Sequence, residues 1–161
     1  FSWISMSLTL PILPLNKREA IKKGNLMHLL LSKIYTQFDV EITIKNFIQE
    51  GLISNEIGRE LILEINSIVS NPALASYYSG DFEVYNEREI ISTTGEIIIP
   101  DRLIIKKDNS AIIIDYKTGE TNDGYINQLE AYAATINAMG YQVEKKILIY
   151  IYPKLDVQVF Y

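Results

Sequence analysis

Cysteine is absent from the 161 residues. That excludes disulfides, zinc–thiolate centres, cysteine-ligated iron–sulfur clusters and a thiol nucleophile. No apolar run reaches the roughly 18 residues that a membrane-spanning helix needs. The apolar stretch 4–15 is broken by Pro11 and Pro14 and has no basic flank before it. It reads as neither a signal peptide nor an anchor, so no membrane partner and a cytoplasmic location are expected. Positive charge is in deficit: 15 Lys and Arg against 20 Asp and Glu give a net charge of −5. A free-standing, high-affinity DNA binder draws its affinity from phosphate neutralisation, and this balance argues against one. It leaves room for a nucleic-acid enzyme whose substrate is delivered by something else. Internal repeats, low-complexity tracts and long linkers are also missing.

What is present is a globular balance, 48% apolar and 22% charged. The length suits one domain, 1–161, with one core and no need of a staple. The chain begins at Phe1, and we expect a piece of a longer protein. The front part, about 17–80, has helical period; the part from about 82 to 161 is strand-like. Helices are predicted over 17–35, 41–50 and 55–70, with a short one over 73–78. Gly51 and Asn71-Pro72 are the stop signals. In the first, Ile21, Leu26, Leu29, Leu30 and Ile34 mark the apolar side. In the third, Ile57, Leu61, Glu64, Ile65 and Ile68 mark one side. Strands are predicted over 82–91, 96–106, 111–117, 146–152 and 157–161, with a helix over 124–140 between the third and fourth. The expected class is α/β with a mixed sheet.

Charges in apolar strands are the informative exceptions. In the second strand Ile97, Ile99, Asp101, Leu103 and Ile105 alternate onto one face; in the third, Ala111, Ile113, Asp115 and Lys117 do. A carboxylate on a core face is costly unless paired. A three-residue loop, Asp108-Asn109-Ser110, matches the two apolar faces and sets Asp101 opposite Lys117 and diagonal to Asp115. The cluster is either a structural salt bridge through Lys117 or a site for a divalent cation.

These residues also form a pattern. Pro100-Asp101, thirteen residues, then Asp115-Tyr116-Lys117 resembles the PD-(D/E)XK nuclease signature. Ile113 to Gly119, IIDYKTG, resembles the IDYKTG stretch of the RecB-type branch, and Asp101-Arg102 its "DR" strand. Gln128 to Tyr132 is similar to its Q-x-x-x-Y helix, and Gly24 to His28 to its G-x-x-x-H helix. The four elements span about residues 20–135 in the expected order. The resemblance implies a restriction-endonuclease-like core, a central mixed β-sheet flanked by helices, here with a helical N-terminal half. It implies a Mg2+- or Mn2+-dependent deoxyribonuclease. It points to the exonuclease module of a RecB/AddA-type helicase–nuclease in DNA end processing and repair, with DNA and a helicase domain of the same parent chain as partners. The AddB branch carries cysteines for an iron–sulfur cluster; this chain has none, so no such cluster is expected. The alternative is a decayed nuclease fold that holds DNA or a protein partner.

The resemblance also assigns roles. Asp101, Asp115, the backbone carbonyl of Tyr116, and His28 are the expected metal ligands. Lys117 is expected to orient the attacking water and offset charge on the phosphate. Gln128 and Tyr132, four apart on one helix face, are expected to point at the site. Without the resemblance His28 is a core or boundary histidine and Gln128 and Tyr132 are the polar flank of an amphipathic helix. Gly24 either lets a backbone approach or is a tolerated helical glycine. Glu89 is either a secondary site residue or an edge-strand charge. Arg102, Lys106 and Lys107 read as solvated, with phosphate contact as the alternative.

Overall fold

The computed structural model describes residues 16–161; the proline-broken stretch 4–15 lies outside them. Three α-helices come first: α1 (Lys17–Ser32), α2 (Val40–Gln49) and α3 (Asn55–Val69). Local chemistry sets their starts. Asn16 and Glu19 form a reciprocal capping box at α1. The Ser54 hydroxyl accepts from the Ile57 amide at α3. The buried side of α1 is Met27, Leu30 and Leu31, continued by Ile34. The expected Ile21 and Leu29 stay about half exposed, because α1 is rotated so that Gly24 and Met27 face the sheet. In α3 the buried side is Gly58, Leu61, Ile65, Ile68 and Val69; Glu64 instead pairs with Lys23 of α1 at 2.6 Å.

Seven strands and one helix follow: β1 (Glu83–Asn86), β2 (Ile90–Ile91), β3 (Ile97–Ile98), β4 (Arg102–Ile105), β5 (Ser110–Thr118), α4 (Asp123–Ala138), β6 (Gln142–Tyr152) and β7 (Asp156–Phe160). The central sheet runs β1-β4-β5-β6-β7, with β2 and β3 paired apart from it. Only β5 and β6 are parallel, joined through α4; every other pairing is antiparallel. This is the α/β, restriction-endonuclease-like arrangement expected from the sequence.

The two long strands expected over 82–91 and 96–106 are each broken in two. Glu87 takes a positive φ of 49°, a conformation that ends β1. Pro100 has no N–H for a ladder and separates β3 from β4. The alternation therefore restarts at the break. Ile98 is buried with Leu103 and Ile105, whereas Ile97 and Ile99 are exposed.

The sheet has two apolar faces. Ile104, Ile112, Ile114, Tyr116, Ile147 and Ile149 pack toward α1, α2 and α3. Leu103, Ile105, Ala111, Ile113, Leu148 and Tyr150 pack toward Leu129, Tyr132, Ala133 and Ile136 of α4. Residues 111–114 of β5 thus read as an unbroken apolar run because both faces of the strand are covered.

The β4–β5 loop is three residues long, but they are 107–109, not 108–110. Lys106 and Ser110 close it through the Lys106 amide on the Ser110 carbonyl at 2.9 Å. Asn109 supplies the left-handed residue (φ 64°) that such loops need. Asp108 accepts from the Ser110 amide and hydroxyl, which fixes the turn one residue earlier than expected. Each pairing moves by two residues, and the matching of faces survives. Arg102 lies opposite Ile114, and one step further the register sets Asp101 opposite Asp115, not Lys117.

Candidate metal centre and active site

Asp101 sits just outside β4, where Pro100 has opened the ladder. Its Oδ2 takes the place of a backbone acceptor and receives the Tyr116 amide at 2.8 Å. Its carbonyl receives the Glu87 amide at 3.0 Å. His28 reaches the same carboxylate from α1, Nδ1 to Oδ2 at 3.6 Å, an ion-pair distance rather than a hydrogen bond. The His28 ring meets the Tyr116 ring edge-on at 6.0 Å.

Gly24 makes that approach possible. A Cβ at position 24 would lie 2.9 Å from the Thr118 hydroxyl and 3.0 Å from its methyl. The glycine is where α1 crosses the end of β5, one turn before His28.

Ligand atoms of His28, Glu87 and Asp101 all lie within 4.8 Å of one another. Glu87 is the residue that reading the sequence missed, in favour of Glu89. The signal that marks it is conformational: a non-glycine residue held at positive φ, a strain that gathers at functional sites. Nothing in the residue pattern distinguishes Glu87 from Glu89.

Asp115 and Lys117 extend from β5 on the α4 side. Lys117 Nζ stands 2.5 Å from Asp115 Oδ2. That oxygen is nevertheless buried without any partner in hydrogen-bond geometry. Lys117 donates to Gln128 Oε1 at 3.0 Å, and Gln128 Nε2 donates to the Tyr132 hydroxyl at 2.9 Å. The Tyr125 ring lies 4.6 Å from Lys117 Nζ. All the expected side chains therefore converge on one end of the sheet. Tyr116 contributes through its backbone; its side chain is buried on the α1 face, its hydroxyl 2.6 Å from that of Tyr78.

The electrostatics divide the two carboxyls. Burial, then the charge of Asp101, push the Asp115 carboxyl up to about 6, against the pull of Lys117. Burial acts to raise Asp101 too, but His28 and the Tyr116 amide outweigh it, and the net direction is down. The Asp101 carboxylate in turn raises His28 against the effect of burial. Burial, then the charges of Asp115 and Asp101, push the Tyr132 hydroxyl up to about 12, so it stays protonated. Two carboxyls with separated pKa values beside a lysine mark the cluster as a candidate site.

The donor set fits a divalent cation. It offers carboxylate oxygens, suited to Mg2+ and Mn2+, and one imidazole, a softer donor that tilts the set toward Mn2+.

Arg102 contradicts its expected place in solvent. It is fully buried, 0% exposed, and its guanidinium lies 4.1 Å over the Tyr78 ring. Lys106 pairs with Glu144 at the far end of β4.

Residues 8–160 match the PD-(D/E)XK nuclease superfamily, and the chain belongs to it. Members of that superfamily are in general metal-dependent nucleases. The solved structure described as "Crystal structure of SSO0001" is similar over 88% of this chain and 75% of that one, at 21% identity and a TM-score of 0.35. No curated protein matches the chain by sequence. Among the described residues no helix is long and apolar enough to cross a membrane.

Proposed function

We propose that this protein is a divalent-metal-dependent deoxyribonuclease that hydrolyses phosphodiester bonds. Its role is that of an exonuclease module in a RecB/AddA-type helicase–nuclease that processes DNA ends. The convergence of His28, Glu87 and Asp101 beside the Asp115–Lys117 pair is the observation that carries the reading. The net charge of −5 supports a substrate handed over by an attached motor rather than captured by this domain alone.

His28, Glu87, Asp101 and Asp115 would hold the cation, with the Tyr116 carbonyl as a further oxygen. A bound Mg2+ or Mn2+ supplies polarisation of the scissile phosphate and a more acidic coordinated water. Below about pH 6 Asp115 holds a proton that it would have to give up to ligate. His28 must be neutral to ligate, so protons and cation compete for both residues. Lys117 would offset the negative charge that grows on the phosphate oxygens. Gln128 fixes the direction of that ammonium, and Tyr132 fixes Gln128. Because Tyr132 keeps its proton to about 12, this brace does not change over the working pH range.

The test is Mn2+ calorimetry and digestion of linear DNA by wild type, Asp101→Ala and Lys117→Ala. The expected result is binding and digestion by wild type, loss of both in Asp101→Ala, and loss of digestion alone in Lys117→Ala. Wild type that neither binds Mn2+ nor cuts DNA in its presence overturns the reading.

A further inference from the structure

Arg102 is a buried cation without an anion. Among the described residues no carboxylate lies within 4.0 Å of its guanidinium. Four hydrogen bonds surround it instead. Nη1 donates to the Ile34 carbonyl at 2.8 Å and to Asn86 Oδ1 at 3.3 Å. Nη2 donates to the Tyr35 carbonyl at 2.6 Å and the Tyr77 carbonyl at 2.7 Å. Nε is buried and unpartnered. Asn86 completes the junction: its Nδ2 donates to the Ile34 carbonyl at 3.0 Å and the Ser32 carbonyl at 3.3 Å.

A buried charge of this kind is poor value as a source of stability, because an apolar side chain of similar volume often does as well. What it does supply is direction. A planar fork with five N–H groups fixes the segments it touches in angle as well as distance. Those segments are the ones that carry the candidate ligands. Ser32 ends the helix that bears His28, and Ile34 and Tyr35 lie in the segment that leaves it. Asn86 immediately precedes Glu87. Arg102 immediately follows Asp101. The same guanidinium lies over Tyr78, whose hydroxyl meets that of Tyr116, the residue whose amide holds Asp101.

We infer that Arg102 and Asn86 are positioning residues that set the mutual placement of His28, Glu87 and Asp101 for cation binding. The inference rests on the metal-site reading above. Neither residue touches the cation; both act on the backbone from which its ligands project. Partners of this outer kind typically change metal affinity by about 10- to 100-fold when removed.

The experiment measures the Mn2+ dissociation constant by calorimetry, well below the melting temperature, for wild type, Asn86→Ala and Arg102→Lys. Asn86 is only part-buried, so its variant is the one expected to fold, and the melting curve of the metal-free protein checks that. Ile65→Val, a truncation in the α3 core away from the site, controls for a general loss of stability. The expected result is Mn2+ binding weakened about tenfold or more in Asn86→Ala, further in Arg102→Lys, and unchanged in Ile65→Val. Folded Asn86→Ala that binds Mn2+ as wild type does overturns the positioning role and leaves the metal site standing. Weakening in Ile65→Val equal to that in Asn86→Ala also overturns it, since stability alone then accounts for the effect. Wild type that binds no Mn2+ overturns the metal reading itself, and this inference with it.

Discussion

The two sides of the site are built on opposite principles. On the α1 side, His28, Glu87 and Asp101 come from three separate segments and are held by backbone: the Glu87 amide on Asp101, the Tyr116 amide on Asp101, the Arg102 fork on Ile34 and Tyr35. On the α4 side, Asp115 and Lys117 share one strand, and a chain of side chains, Gln128 and Tyr132, holds Lys117. The first side must bring distant parts of the chain to one point, and rigid backbone does this. The second, in the proposed reading, presents a charged amine to the substrate, and a short strand with a side-chain brace is enough. The difference teaches that ligand placement here is a tertiary property, while lysine placement is a local one.

Substitutions can break this division, the most damaging first. Lys117→Ala should lower the rate of DNA hydrolysis by roughly 100- to 1000-fold, as loss of one stabiliser of transition-state charge does, while Mn2+ affinity stays within a few-fold of wild type. Asp101→Ala should remove both. Calorimetry beside a nuclease assay separates them; equal loss of Mn2+ binding in the two variants would erase the distinction between the sides. Next in size is Glu87→Gln, which should weaken Mn2+ binding by about tenfold, whereas Glu89→Gln should leave it unchanged. A reversal would move the ligand to Glu89 and take the meaning from the positive φ at Glu87.

pH sharpens the same contrast. Asp115 titrates at about 6, so Mn2+ affinity should fall as pH drops through 6, with a slope approaching one proton per cation from Asp115 and a further contribution from His28. Isothermal titrations at pH 5.5, 6.5 and 7.5 measure it. The smallest effect concerns stability. The folded pKa of Asp115 is raised above 3.8, so its contribution is fully present below about pH 4 and is lost as pH rises through 6. At pH 7.5 metal-free Asp115→Asn, spared the buried charge, should therefore melt a few degrees above wild type, the effect of about 1–2 kcal/mol in a domain of this size. Saturating Mn2+ should stabilise wild type and not the variant. A lower melting temperature for the variant at pH 7.5 would mean that Lys117 offsets the Asp115 charge fully.

The sequence carried the α4 side of this division plainly and the α1 side only in part. Asp115 and Lys117 stand out because they interrupt β5, a run buried on both faces, and Gln128 and Tyr132 share a helix face by spacing alone. The alternation of β5 and the helix–strand order likewise follow from local period. The breaks do not. Pro100 is visible in the sequence, but the shift of face that it causes depends on β3 leaving the main sheet. Glu87 was hidden because φ is not written in a residue name, and two neighbouring glutamates look alike. Arg102 was misplaced because an arginine belongs in solvent unless carbonyls from distant segments converge on it, and their convergence is a product of the fold. The loop register failed by one residue because Asp108 turns the chain earlier than length alone suggests.

Gly24 has the last consequence. With Thr118 hard against the helix at that point, α1 has a fulcrum, and His28 lies on its lever arm one turn away. A methyl group at position 24 would be a shim that lifts the helix by a few tenths of an ångström and carries the imidazole with it. The reach of the only histidine in the chain is thus gauged by a residue with no side chain at all.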